Sequence, residues 1–158
     1  MEVEPHLHPV NGVRFRPSVN VSEEARLDVR ARGFWRNGQN AFLDVCLTNA
    51  EADSQIDRTV SAILRTHETK KKTAYNTRII EIEHGTLTPI IFTTRGAMGH
   101  DCEKFFKTLA QKLSKKKGEH YADIMRYIRI KLSFLVLKAS LLCLRGTYGI
   151  LSITNTVL

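Results

Sequence analysis

A chain of 158 residues with 42% apolar and 25% charged side chains is long enough to bury a core, and its composition is ordinary for one soluble globular domain. The net charge of +8 favours polyanionic partners, nucleic acid first and an acidic membrane surface second, over a small-molecule substrate. The three cysteines, Cys46, Cys102 and Cys143, match no zinc-ligand spacing.

All three cysteines lie in apolar surroundings. Buried free thiols in a reducing, intracellular compartment, nucleus or cytoplasm, are therefore expected. The N-terminus carries Glu2 and Glu4 and has no secretory leader pattern. The apolar stretch from Ile130 to Leu144 is interrupted by Lys131 and Lys138 and is too short to span a bilayer.

In chain order, residues 1–20 are punctuated by Pro5, Pro9, Asn11-Gly12 and Pro17, and read as an irregular N-terminal segment. A domain over 21–146 and a tail over 147–158 follow. Arg26-Leu27-Asp28-Val29-Arg30 and Ala41-Phe42-Leu43-Asp44-Val45-Cys46-Leu47 flank a loop with an Asn37-Gly38 turn signal, predicting a β-hairpin. Leu27, Val29, Leu43, Val45 and Leu47 are expected to form one of its faces. The spacing of Ile56, Val60, Ile63 and Leu64 predicts a helix over 54–66, and the basic segment 67–76 could continue it. Residues 78–83 alternate like a strand, and 86–94 is β-rich with Pro89 at an edge or bulge. Phe105, Phe106, Leu109 and Leu113 predict a helix from His100-Asp101 to about Lys115. A longer helix over 121–144 is expected to turn Ile124, Tyr127, Ile128, Lys131, Leu132, Leu135 and Ala139 inward. The order predicts a mixed α/β domain, a small sheet covered by helices.

Asp28 and Asp44 are the residues that ask for a reason, because aspartate is depleted in strands. A carboxylate in each hairpin strand can place two acids together to hold a divalent cation, which activates water against a phosphodiester. The plainer account is a solvated face where each acid meets a cross-strand arginine such as Arg30. Other constellations favour plain readings. Glu81 and Glu83 read as a solvated strand face, His84 as a turn residue, and His6 and His8 as solvent-exposed. Arg95-Gly96-Ala97-Met98-Gly99 reads as a glycine connector. Trp35 either stacks on a base or pins its loop to the core.

Several runs together resemble a domain found at the C-terminal end of animal retroelement polyproteins, usually after a reverse transcriptase. They are Ala25 to Trp35, Phe42-Leu43-Asp44-Val45, Tyr75-Asn76, Glu81-Ile82-Glu83-His84-Gly85, Thr88-Pro89-Ile90-Ile91-Phe92, Lys131-Leu132-Ser133 and Cys143-Leu144-Arg145-Gly146. The resemblance covers about Val3 to Gly146. That domain is itself similar to the PD-(D/E)XK, restriction-endonuclease-like fold. The resemblance implies Asp28 and Asp44 as catalytic acids and Mg²⁺ ligands, with the Val45 carbonyl as a further ligand. Alternation puts residues 44 and 46 on one face, as that chemistry requires.

The motif's lysine position holds Cys46, and a thiol supplies no fixed cation at neutral pH. Related folds sometimes move the lysine to the following helix, where Lys71 or Lys72 would serve. Lys72 is taken as the catalytic candidate, against the plainer reading of Lys70, Lys71 and Lys72 as a solvated basic face. Relatives also carry a helix ahead of the hairpin that this chain is expected to lack, and the tail after Gly146 departs from the family ending. The +8 charge points to nucleic acid, with DNA the expected partner, contacted by the clusters Lys70, Lys71, Lys72 and Lys115, Lys116, Lys117. Three readings stand: a Mg²⁺-dependent endonuclease domain, a non-catalytic nucleic-acid-binding module, and a truncated remnant.

Overall fold

The structure, a computed structural model, describes residues 1–144 except 11, 13 and 23, with residues 143 and 144 described as backbone only. Four strands form one sheet in the order β1 (Glu2–Val3), β2 (Val29–Arg32), β3 (Asn40–Thr48), β4 (Thr86–Thr93). The first three pair antiparallel and β3 pairs parallel with β4. A parallel pair needs a crossover, and helix α1 (Val60–Glu81) supplies it. Helices α2 (His100–Lys117) and α3 (Tyr121–Leu144) follow. The mixed α/β expectation is met. Pro89, which cannot donate to a ladder, lies in the outermost strand, β4.

The hairpin forms as expected, with Val29 opposite Leu43 and Arg30 opposite Phe42. Its two faces are buried differently. Phe42 packs with Leu7, Ala25, Leu27, Ile79 and Leu87 on the α1 side. Leu43, Val45 and Leu47 pack on the other side with Val29, Ile90, Phe92, Phe105 of α2 and Val136 of α3. The expected single face of five residues therefore divides. The backbone bends at Asp28, which sends Leu27 to the opposite layer from Val29. Trp35 anchors the hairpin loop: its Nε1 donates to Thr88 Oγ1 at 2.9 Å, and Phe34 stacks on Phe105.

The strand expected over 78–83 is instead the end of α1. Ile79 is fully buried while Ile80 is more than half exposed, and Ile82 N–H donates to the Arg78 carbonyl, so the helical hydrogen-bond ladder runs through the segment. Two adjacent β-branched residues suggested a strand, and packing of Ile79 on Phe42 overrides that propensity. The helix also begins later than expected. Thr59 caps Ala62 N–H, and Ile56, 69% exposed, lies outside it beyond a short 3₁₀ turn at Asp53–Gln55. Gly85 then brings the chain against β3, where a Cβ would stand 2.8 Å from the Asn40 carbonyl oxygen.

Residues 1–20 are more than an irregular appendage. Glu2 and Val3 pair with Arg30 and Val29, His6 bridges to Arg26, and Leu7 and Val19 are buried. Among the described residues no helix precedes the hairpin. The strap that runs from the N-terminus to Asp28 contributes Leu7, Ala25 and Leu27 to the core instead. The chain after residue 144, including the 147–158 tail, lies outside the described residues. So does the Cys143 side chain.

Candidate active site

Helix α1 packs over the sheet, and inward side chains of β3 reach partners along it. Phe42 meets Ile79 and Tyr75, Asp44 meets Lys71, and Thr48 Oγ1 lies 3.1 Å from His67 Nε2. Asp44, only 6% exposed, has its Oδ1 hydrogen-bonded by Lys71 Nζ at 3.0 Å and its Oδ2 at 2.9 Å from the same ammonium. That Oδ2 has no aligned hydrogen bond.

Asp28 arrives from the strap. At the end of the β2–β3 ladder its N–H donates to the Leu43 carbonyl, and its Oδ2 accepts from Val45 N–H at 2.6 Å. The carboxylate thus takes the donor that β2 would have satisfied had it continued. Asp28 is close enough for its charge and hydrogen bonding to act on Asp44. The two aspartates and Lys71 are one cluster.

Burial pushes the Asp44 carboxyl above the usual carboxylate range. Lys71 opposes that shift, and the neighbouring Asp28 adds to it. Burial alone would lower Lys71, but the hydrogen bond and charge of Asp44 outweigh it and hold the ammonium charged. Burial also raises the Cys46 thiol, so it stays neutral beside the cluster.

The ammonium beside Asp44 and Cys46 is that of Lys71. Lys72, the residue singled out in the sequence, turns away to Asp101 at 2.6 Å, because it sits about 100° round the helix from Lys71. Lys70 is exposed on the outer side of α1, and Lys115, Lys116 and Lys117 are exposed at the end of α2. A groove of about 550 Å³ runs over α1, lined by Arg58, Arg65, Thr66, Thr69, Lys70 and Thr73, with neither aspartate in its walls. Arg58 and Arg65 are polyanion candidates that the lysine runs did not suggest.

Two other expectations change. Glu83 is a buried acceptor rather than part of a solvated face: it takes the His8 N–H at 2.6 Å and lies 2.8 Å from His8 Nδ1. His8 is exposed but not free. The Arg95–Gly99 connector ends at Gly99, which packs on Glu68 where no side chain would fit, while Glu68 Oε1 accepts from Asp101 N–H and caps α2.

Among the described residues, no group of three or more His, Cys, Asp and Glu side chains is gathered to hold a metal. The donor set is two carboxylates, Asp44 already paired with Lys71 and Asp28 Oδ2 taken by the Val45 amide. So sparse a set suits an ion keeping most of its waters, as Mg²⁺ does, better than a dehydrated structural ion.

Lys71→Met is expected to destabilise the fold by about 2 kcal/mol at pH 7. Stripping one partner from a fully buried pair costs about 3–5 kcal/mol, and Lys71 is discounted because its side chain is 30% exposed. Without the ammonium the folded Asp44 value rises further. The penalty is therefore absent below the unfolded value of 3.8 and grows as pH rises through the folded value. Urea unfolding of both proteins across that range checks it; a pH-independent difference would trace the effect to the lysine stem instead.

Compared with protein-family models, with curated proteins and with solved structures, the chain shows no significant match to any of them.

Proposed function

We propose that this chain is a retroelement-derived, restriction-endonuclease-like domain that cleaves DNA phosphodiesters with Mg²⁺. The observation that carries the reading is the meeting of Asp28, Asp44 and Lys71, from a strap, a strand and a helix, in one half-buried cluster. A buried aspartate beside a second acid and a lysine costs stability that a purely structural site can avoid. Asp44 and Asp28 would hold the cation, with the Val45 carbonyl as a further ligand in keeping with the resemblance. The bound ion supplies Lewis-acid activation of water and neutralises charge developing on the phosphate. Lys71, held charged, would orient the attacking water and offset the negative charge. Arg58, Arg65 and Lys70 would track the DNA backbone along α1, with Lys115, Lys116 and Lys117 as a second contact region.

A non-catalytic nucleic-acid-binding module is the second reading. It is favoured by the direct Asp44–Lys71 pair, which already satisfies the acid without a metal. Both sheet faces are covered within the described chain, which argues against the remnant reading. No helix of the described residues is long and apolar enough to cross a membrane. The free Cys46 and Cys102 suit a reducing compartment, nucleus or cytoplasm.

The test is a nicking assay on supercoiled plasmid with Mg²⁺, with Mn²⁺ and with EDTA. Metal-dependent nicking is expected. Salt-sensitive binding without nicking in either metal would move the assignment to the binding module. The double variant Arg65→Glu/Lys70→Glu should weaken DNA binding and flatten its log–log salt dependence by about 2, roughly one per phosphate contact. An unchanged slope would remove α1 from the interface.

A further inference from the structure

Helix α3 presents two stripes. Ile124, Met125, Ile128 and Val136 are buried against α2 and the sheet. On the water side, Tyr127, Ile130, Phe134, Leu137 and Leu141 are 58%, 51%, 68%, 56% and 45% exposed. These five stand alternately three and four residues apart, which is the a/d pattern of a coiled-coil seam, and run about 21 Å along the helix. Among the described residues the first stripe makes the contacts with α2 and the sheet, and none buries the second. The sequence suggested Tyr127 and Leu135 for the inner stripe, and both are turned to water.

The flanks indicate what fits the seam. With Tyr127 at position a, Lys131 and Lys138 fall at e, and Arg126, Ser133 and Ser140 fall at g. Lys131 Nζ stands 5.5 Å from the Tyr127 ring centre. No acid occupies an e or g position beside the seam. A second copy of the chain is disfavoured in both orientations: a parallel pair sets Arg126 against Lys131, and an antiparallel pair sets Lys131 against Lys138. A lipid surface asks for a broad apolar face, whereas this stripe is the narrow a/d form.

We propose that α3 is a docking helix for one amphipathic, acidic helix of another protein, with apolar residues at a and d and Glu or Asp at e and g. The cations beside the seam set the sign of the partner, and the apolar row supplies the contact.

The experiment uses the full chain with two labelled three-heptad peptides, both with Leu at a and d, one with Glu and the other with Lys at e and g. Fluorescence anisotropy is expected to show the Glu peptide binding, more weakly as salt rises, and the Lys peptide not binding. Phe134→Ser should weaken the Glu peptide by at least ~10-fold. Lys131→Glu/Lys138→Glu should reverse the preference between peptides. All three positions are exposed, and circular dichroism would verify that each variant remains folded. Equal binding of both peptides, or of neither, overturns the proposal. So does a chain dimer in sedimentation that Phe134→Ser dissolves, or capture by anionic vesicles that the same substitution abolishes. Glu-peptide binding that does not respond to Phe134→Ser would also overturn it, since the peptide would then not be held by the seam.

Discussion

Asp44→Asn is expected to abolish metal-dependent DNA nicking, a loss on the order of 10³-fold, while leaving the fold at least as stable at pH 7. A bound cation supplies several kcal/mol of transition-state stabilisation, and each 1.36 kcal/mol is about tenfold in rate. The stability arm has the opposite sign. Because the folded Asp44 carboxyl lies above its unfolded value of 3.8, the folded state holds that proton more tightly. The group's contribution to stability is complete below 3.8 and is lost as pH rises through the folded value, while the charge it lends Lys71 raises that ammonium and offsets part of the loss. Asparagine removes the charge and keeps the shape. Nicking assays and urea midpoints at pH 7 check both arms together. An Asn variant that still nicks removes Asp44 from the chemistry. A variant that is clearly less stable shows the Lys71 pair to be net stabilising. Mg²⁺ should raise the melting temperature of the parent chain by linkage and leave that of Asp44→Asn unmoved.

The largest stability effect is expected at Arg78. Its side chain is fully buried, Nη1 donating to the Asn20 and Ser22 carbonyls at 3.0 and 2.9 Å and Nη2 to the His8 carbonyl at 2.8 Å. Burial lowers its pKa, opposed first by nearby Glu83. Arg78→Met keeps most of the volume but strands three carbonyls and leaves the buried Glu83 without its neighbouring cation. A loss of about 4 kcal/mol is expected, the range for breaking a buried charged network. Arg78→Lys keeps the charge without the fork and should cost about half as much. Urea denaturation measures both. A Met variant within about 1 kcal/mol of the parent would show that the strap is held by its apolar residues alone.

What the sequence revealed follows from how each element is buried. Strands β3 and β4 were legible as short apolar runs bounded by turn residues, although both of their faces are buried, and α2 because its apolar side chains such as Phe105 recur on one face. Helix α1 was only half legible, since much of the face it turns inward is polar: His67, Glu68, Lys71, Tyr75 and Arg78 all have partners there. A search for an apolar stripe reads such a helix as ending early and its last turn as a strand. A signal did exist. His67, Lys71, Tyr75 and Ile79 are spaced by four, which would have chosen Lys71 over Lys72. The Asp28–Asp44 pairing was legible from the hairpin register. That Asp28 would be fixed by the Val45 amide was not, because it depends on β2 ending where it does.

The concentration of contacts on α1 affects how the molecule opens. Lys71 holds the aspartate, Glu68 seats the start of α2, and Arg78 ties down the strap that delivers Asp28. The three positions lie along one rigid rod, so none of these attachments can loosen alone without turning the other two. The cluster should then have no low-energy breathing mode of its own. The amides of Ile79, Phe42 and Val45 would exchange with deuterium together, and only when the whole domain unfolds. Geometry at the cluster would persist for as long as the domain does, and would vanish with it in a single step.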